Sequence, residues 1–175
     1  MVSKMMTICI LFCFLLSFKA QDVYGDEPVP GTGDILQLAI PAVAWGSTFA
    51  YGDSEGRNQF YKSAAACLAI THGLKFAVGE QRPNGHSKDS FPSGHTSASF
   101  FGASFIQRRY GWKFGAPAYL LASYVGWSRV ETKAHYVHDV LAGAAIGVVC
   151  SYLFTTPLTE NIDVVPLMGK NSAGI

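Results

Sequence analysis

The sequence predicts an all-α protein: an up-and-down transmembrane bundle of about five to six helices with an active site at its outer face. Three observations predict it. Apolar runs recur along the chain, each of 14 residues or more. None keeps a period of two, and strands of that length are unusual. Charged residues make up 14% of the chain, well below the soluble norm of about 25%.

A length of 175 residues suits one domain with a real core. The formal net charge is +1 and no Lys/Arg block exists. That excludes the basic footprint of a nucleic-acid partner. An apolar fraction of 49% excludes a disordered chain.

The elements follow in order. Lys4 precedes an apolar run over 5–18, the layout of a secretory signal. Cleavage after Ala20 satisfies one small-residue position, whereas Phe18 fits poorly. Residues 1–20 therefore read as a signal peptide or an uncleaved signal-anchor helix. Residues 21–34 hold two prolines and three glycines and read as a polar linker. Five helical runs then fill a domain over 35–155, at 35–51, 59–78, 94–107, 114–128 and 136–154. Residues 156–175 form a tail.

A spanning helix needs about 20 apolar residues. The first and last runs come close. The 94–107 run is short and rich in Ser and Thr, and the 59–78 run carries Lys62, His72 and Lys75. Charge placement adds the case for spanning. With the N-terminus inside, Lys4, Arg57, Lys62, Arg108, Arg109, Lys113 and Lys170 fall inside. Lys19, Lys75, Arg82, Lys88, Arg129 and Lys133 fall outside, and three of these (Lys75, Arg82 and Arg129) have a chemical role. The remainder follows the positive-inside rule. This turns the site outward, and with the short chain and signal-like start the protein reads as one of a bacterial inner membrane with its site facing the periplasm. The alternative is a compact helical domain, soluble in the periplasm.

Gly143 and Gly147 form a G-x-x-x-G that lets another helix approach closely. Cys9, Cys13, Cys67 and Cys150 include no CxxC pair. Cys67 and Cys150 lie in apolar runs and read as packed thiols.

Three polar clusters break the apolar background: Lys75 with Arg82-Pro83, then Pro92-Ser93-Gly94-His95, then Ser128-Arg129 with His135 and Asp139. Each sits at a helix end, and an up-and-down bundle brings those ends to one face. His135 begins the last helical run, four residues before Asp139. On a helix the two share a face. A carboxylate there accepts a proton from one ring nitrogen and leaves the other able to attack. His95 opens a helix after a Pro-Ser-Gly turn, where helix-start N–H groups favour an anion. It is placed to protonate a leaving oxygen. Lys75, Arg82 and Arg129 supply the positive charge that stabilises a phosphoryl transition state. Ser93 adds a hydroxyl donor. His138 lies beside Asp139 but points elsewhere on the helix. His72 reads as packed or snorkelling, and His86 with Lys88 as a solvated loop. No compact acidic cluster offers a two-metal site.

Together these clusters resemble the signature of the type 2 phosphatidic acid phosphatase superfamily, K-x6-RP, PSGH and SR-x5-H-x3-D, with no defining position missing. That superfamily includes membrane lipid phosphatases, bacterial class A acid phosphatases and vanadium haloperoxidases. The resemblance implies that His135 attacks phosphorus to form a phosphohistidine, that Asp139 orients it, and that His95 protonates the leaving group. It implies that Lys75, Arg82, Ser93, the Gly94 backbone N–H and Arg129 hold the phosphate oxygens, with no cofactor and no metal. The implied substrate is a phospholipid, lipid A or polyprenyl (di)phosphate, with membrane lipid around the protein. An exported class A-like acid phosphatase acting on small phosphomonoesters is the alternative. A non-catalytic membrane protein keeping an anion pocket is the contrasting class. The oligomeric state is not legible.

Overall fold

The computed structural model describes residues 31–158. It is all-α, with five helices among the described residues: α1 (Thr32–Ala50), α2 (Ser54–Val78), α3 (Gly94–Tyr110), α4 (Trp112–Glu131) and α5 (Val137–Phe154). The signal-like run, most of the linker and most of the tail lie outside the described residues.

Local chemistry sets the helix ends. The linker stops short of its expected boundary, because α1 starts at Thr32, with Asp34 accepting a hydrogen bond from the Gly31 N–H (2.9 Å). α2 begins earlier than its apolar run, because Asp53 caps it by accepting from the Gly56 N–H (2.8 Å). It ends at Gly79, whose φ of +60° places it in the left-handed region.

α3 is the axis of the bundle and packs against the other four helices. It is Ser-rich yet almost wholly buried, which is tolerable because its hydroxyls are satisfied inside. Ser97 and Ser99 donate back to the Gly94 and His95 carbonyls, and Ser104 pairs with the Tyr119 hydroxyl (2.8 Å). Small side chains also let α5 come close. A Cβ added at Gly143 would meet the Ser93 carbonyl at 2.5 Å, and one at Gly147 the Ser97 carbonyl at 2.5 Å. The G-x-x-x-G stripe thus packs α5 on α3. Phe60, Phe101 and Phe105 fill the core, with ring centroids 5.0 and 5.1 Å from Phe60. Cys67 and Cys150 are free, buried thiols, as the sequence implies.

The sequence expects five to six spans. Among the described residues one helix, α5, is long and apolar enough to cross a membrane, with a mean hydropathy of 1.7. Polar residues interrupt the others: Arg57, Lys62 and Lys75 in α2, the serines of α3, Lys113 and Arg129 in α4. α5 is not a buried core helix, since it exposes Val137, Leu141, Val149 and Leu153.

The arginine assignment also changes. Arg108 and Arg109 belong to the last turn of α3, not to a solvated inner loop. Arg109 is buried because Asp53 meets its fork twice, at 2.6 and 2.7 Å. The same guanidinium donates to the Thr156 carbonyl (2.9 Å) and so pins the chain beyond α5. This staple closes the end of the bundle opposite the polar clusters. At the other end the starts of α1, α3 and α5 meet the ends of α2 and α4.

Candidate active site

Loops and helix ends carry every residue of the site. His135 precedes α5 rather than beginning it, because Tyr136 is the N-cap. The expected shared helix face therefore does not form. What forms instead is a cap. Asp139, at the third position of α5, accepts from the Tyr136 N–H (2.9 Å) and from the Ser90 hydroxyl (2.5 Å). Its Oδ2 lies 3.5 Å from His135 Nδ1, at the edge of hydrogen-bond reach. His135 is held in turn by its own N–H, which donates to the Arg129 carbonyl (3.1 Å).

His135 is 2% exposed and Asp139 fully buried. Burial pushes the His135 imidazole down, and the charges of Lys75, Arg82 and His95 push it further, to about 3. Asp139 acts the other way without overturning the result. The ring is neutral at pH 7. With its proton on Nδ1, toward Asp139, the Nε2 lone pair is free.

Ser93 is fully buried and caps α3, its oxygen accepting from the Thr96 N–H (3.4 Å) and hydroxyl (3.0 Å). Its N–H donates to the Asp139 carbonyl (3.0 Å), tying the α3 start to α5. Gly94 opens α3, and His95 follows it, 3% exposed.

The cations sit on two aspartates that the sequence reading did not single out, the arginines on their carboxylates and Lys75 on a backbone carbonyl. Lys75 donates to the Asp89 carbonyl (2.5 Å), and Arg82 grips the Asp89 carboxylate with two bonds of 2.9 and 3.1 Å. Ser87 donates to the same carboxylate. Burial alone would raise the Asp89 carboxyl, but Ser87 and Arg82 outweigh it and hold it below its ordinary value. Arg129 donates to Asp34 Oδ1 (2.7 Å), which also lies 3.2 Å from His95 Nε2. The hydrogen bond from His95 and the charge of Arg129 hold the Asp34 carboxyl down, at about 2. α1 is seated tightly here, since a Cβ on Gly33 would meet the Ser128 hydroxyl and Arg129. Nothing in the sequence marks Asp34 beyond an acidic residue in a helix's first turn. Asp89 carries no motif at all.

Every residue of the three clusters therefore reaches the same end of the bundle, close enough for the charges of Lys75, Arg82 and His95 to lower the His135 pKa. The chain's match to a family model decides the classification: it covers residues 59–163, under the description PAP2 superfamily.

The chain belongs to the PAP2 superfamily.

PAP2 relatives extend the likeness. The chain is 31% identical over 155 residues to a lipid A 1-phosphatase of Porphyromonas gingivalis, covering 79% of this chain and 35% of that protein. It is 30% identical over 135 residues to a lipid A 4'-phosphatase of Helicobacter pylori, covering 71% of this chain and 68% of that one. The chain thus spans about a third of the first relative's length. The crystal structure of LpxE from Aquifex aeolicus superposes with a TM-score of 0.57 at 20% identity, over 79% of this chain and 92% of that one. The all-α PAP2 fold is shared.

Beside the PAP2 clusters lies a fourth group. His138 does not point away, as expected from its helical position. Its Nε2 lies 3.0 and 3.1 Å from the two Glu80 carboxylate oxygens and 3.2 Å from Asp139 Oδ1. The ring stacks on Tyr136 and Phe91, with centroids 5.3 and 6.1 Å away.

Proposed function

We propose that this chain is a metal-independent lipid phosphatase that removes a phosphate from a lipid A-like substrate through a phosphohistidine on His135. The observation that carries the reading is the convergence of a buried neutral histidine with a carboxylate, a second histidine and three cations at one end of the bundle.

In the reaction, His135 Nε2 attacks phosphorus while the P–O bond to the lipid breaks. His95 gives its proton to the leaving oxygen. Water, deprotonated by His95, then cleaves the phosphohistidine and releases inorganic phosphate. Asp139 keeps the His135 proton on Nδ1. Lys75, Arg82, Ser93, the Gly94 N–H and Arg129 meet the phosphate oxygens. Arg129 and His95 must first exchange Asp34 for the substrate, so the carboxylate holds the place of a phosphate oxygen.

The lipid half of the reading rests on the apolar surface. α5 presents Leu141, Val149 and Leu153 outward, and α4 presents Leu120 and Trp127. Soluble monomers seldom expose so much. An apolar groove of about 430 Å³ runs between α1 and α4, lined by Leu36, Val43, Phe114 and Leu121 among others. It suits an acyl chain. The names of the relatives favour a lipid A phosphate over other lipid phosphates. The protein then sits in a bacterial inner membrane with its site at the periplasmic face.

The test is phosphate release by purified full-length protein in mild detergent with a chelator present. The panel holds a lipid A 1-phosphate, a lipid A 4'-phosphate, phosphatidate, undecaprenyl diphosphate and phenyl phosphate. Release from a lipid A phosphate is expected, and loss of it in His135→Ala. Turnover of phenyl phosphate alone would replace the lipid reading with a soluble-ester phosphatase. Undiminished turnover by His135→Ala would sink the mechanism.

A further inference from the structure

Glu80, His138 and Asp139 are the one group of three metal-capable side chains found among the described residues, their ligand atoms all within 4.8 Å of one another. Two features separate this group from a chance acidic cluster. First, Asp139 Oδ1 is completely buried and receives no hydrogen bond, although Oδ2 of the same carboxylate has two donors. Buried carboxylate oxygens are rarely left so. This oxygen is aimed at His138 Nε2, 3.2 Å away. Second, His138 Nε2 is as close to both carboxylates as the ligand atoms of a zinc site are to one another. Zinc binds imidazole nitrogen and carboxylate oxygen at about 2.0–2.2 Å, so tetrahedral ligand atoms stand about 3.3 Å apart. Here His138 Nε2 stands 3.0 to 3.2 Å from the Glu80 and Asp139 oxygens. Stacking on Tyr136 and Phe91 fixes the imidazole plane.

We propose that Glu80, His138 and Asp139 form an inhibitory site for zinc or a cation of the same borderline class. One nitrogen and two carboxylates suit such an ion. The fourth position would be left to water. The ion would draw on the carboxylate that orients His135. An ion on Oδ1 would hold the carboxylate toward His138 and away from His135 Nδ1, now 3.5 Å from Oδ2. The nucleophile would lose its orienting partner, and turnover would fall. The binding site stands on geometry alone. Its effect on turnover rests on the phosphatase reading above.

The experiment uses full-length protein in mild detergent without substrate. Zinc chloride is titrated in by calorimetry, and Co²⁺ is added as a spectroscopic probe of tetrahedral geometry. His138→Phe keeps the stack and removes the nitrogen. Glu80→Gln keeps the shape and removes a charge. Circular dichroism checks that both fold. The expected result is a site on the wild type that both variants weaken by at least about tenfold. In turnover assays, zinc should slow the wild type and a chelator should restore it. His138→Phe should stay active and ignore zinc. Equal zinc binding by wild type and folded variants, or none by an active wild type, would overturn the site. Zinc binding that leaves wild-type turnover unchanged would overturn the inhibition. Specific zinc binding by a protein inert on every phosphate donor would uphold the site and count against the proposed function instead.

Discussion

Replacing Asp139 by Asn separates what the carboxylate does for chemistry from what it does for folding. The side chain keeps its volume, so no cavity opens. One amide oxygen can still accept from the Tyr136 N–H, which Asp139 now does at 2.9 Å. The other group becomes a donor. Tyr136, Ser90 and His135 all meet the same oxygen, Oδ2, so the NH2 lands either in the Oδ1 place, 3.2 Å from His138 Nε2, or, with the amide turned over, in the Oδ2 place, where it faces His135 Nδ1 and gives up the Tyr136 cap. Facing His135, it would donate to Nδ1 and move the ring proton to Nε2, the atom that must attack. Where a carboxylate holds a histidine tautomer in a serine-protease triad, the same exchange costs about 10⁴ in kcat. That is about 5 kcal/mol of barrier. A weakened helix cap costs only about 1 kcal/mol of stability. Asp139→Asn should thus fold, melt slightly early, and lose about 10³–10⁴-fold in kcat with little change in KM. Phosphate release and a thermal melt in the same detergent would read both. A variant with kcat within about tenfold of wild type would refute the claim that Asp139 sets the tautomer.

Other outcomes follow from the same geometry. Asp34→Asn removes the charge held by Arg129 and His95, so inorganic phosphate or vanadate should bind about tenfold tighter by competitive inhibition; weaker binding would mean that Asp34 assists the anion. Arg109→Leu leaves the Asp53 carboxylate buried and unpaired, which should cost about 3–5 kcal/mol and lower the melting temperature sharply. His135 has a folded pKa of about 3 against an ordinary 6.5. Its contribution to stability is therefore fully present above about 6.5 and is lost as the pH falls toward 3. Chemical denaturation across that window should show a shallower acid loss in His135→Asn than in the wild type.

Helices were legible because length and small-residue content leave little else for such runs to form. The site clusters were legible because up-and-down topology alone sends Lys75, Gly94, Arg129 and His135 to one end. Boundaries were less so. The start of α2 depends on Asp53 acting as a cap, and His135 falls outside α5 because Tyr136, one residue later, is the N-cap. The span count was less legible, because α3 buries serines whose hydroxyls pair within the fold, so its hydropathy does not report its surroundings. Asp34 and Asp89 were missed because their partners lie far along the chain or around a loop. Asp34 meets Arg129 only after α1 docks on α4. Nothing local distinguishes it from a polar residue in a linker. His138 was misjudged because helical geometry gives a direction for Cβ, whereas stacking on Phe91 and Tyr136 decides where the ring goes.

The single carboxylate that accepts from the Tyr136 N–H and the Ser90 hydroxyl, and lies 3.5 Å from His135 Nδ1, ties assembly to the orientation of the imidazole. A newly made chain whose last helix has not yet wound has no anchored Asp139. It therefore has no oriented imidazole and no tied α3 start. Competence would arrive only with the finished bundle.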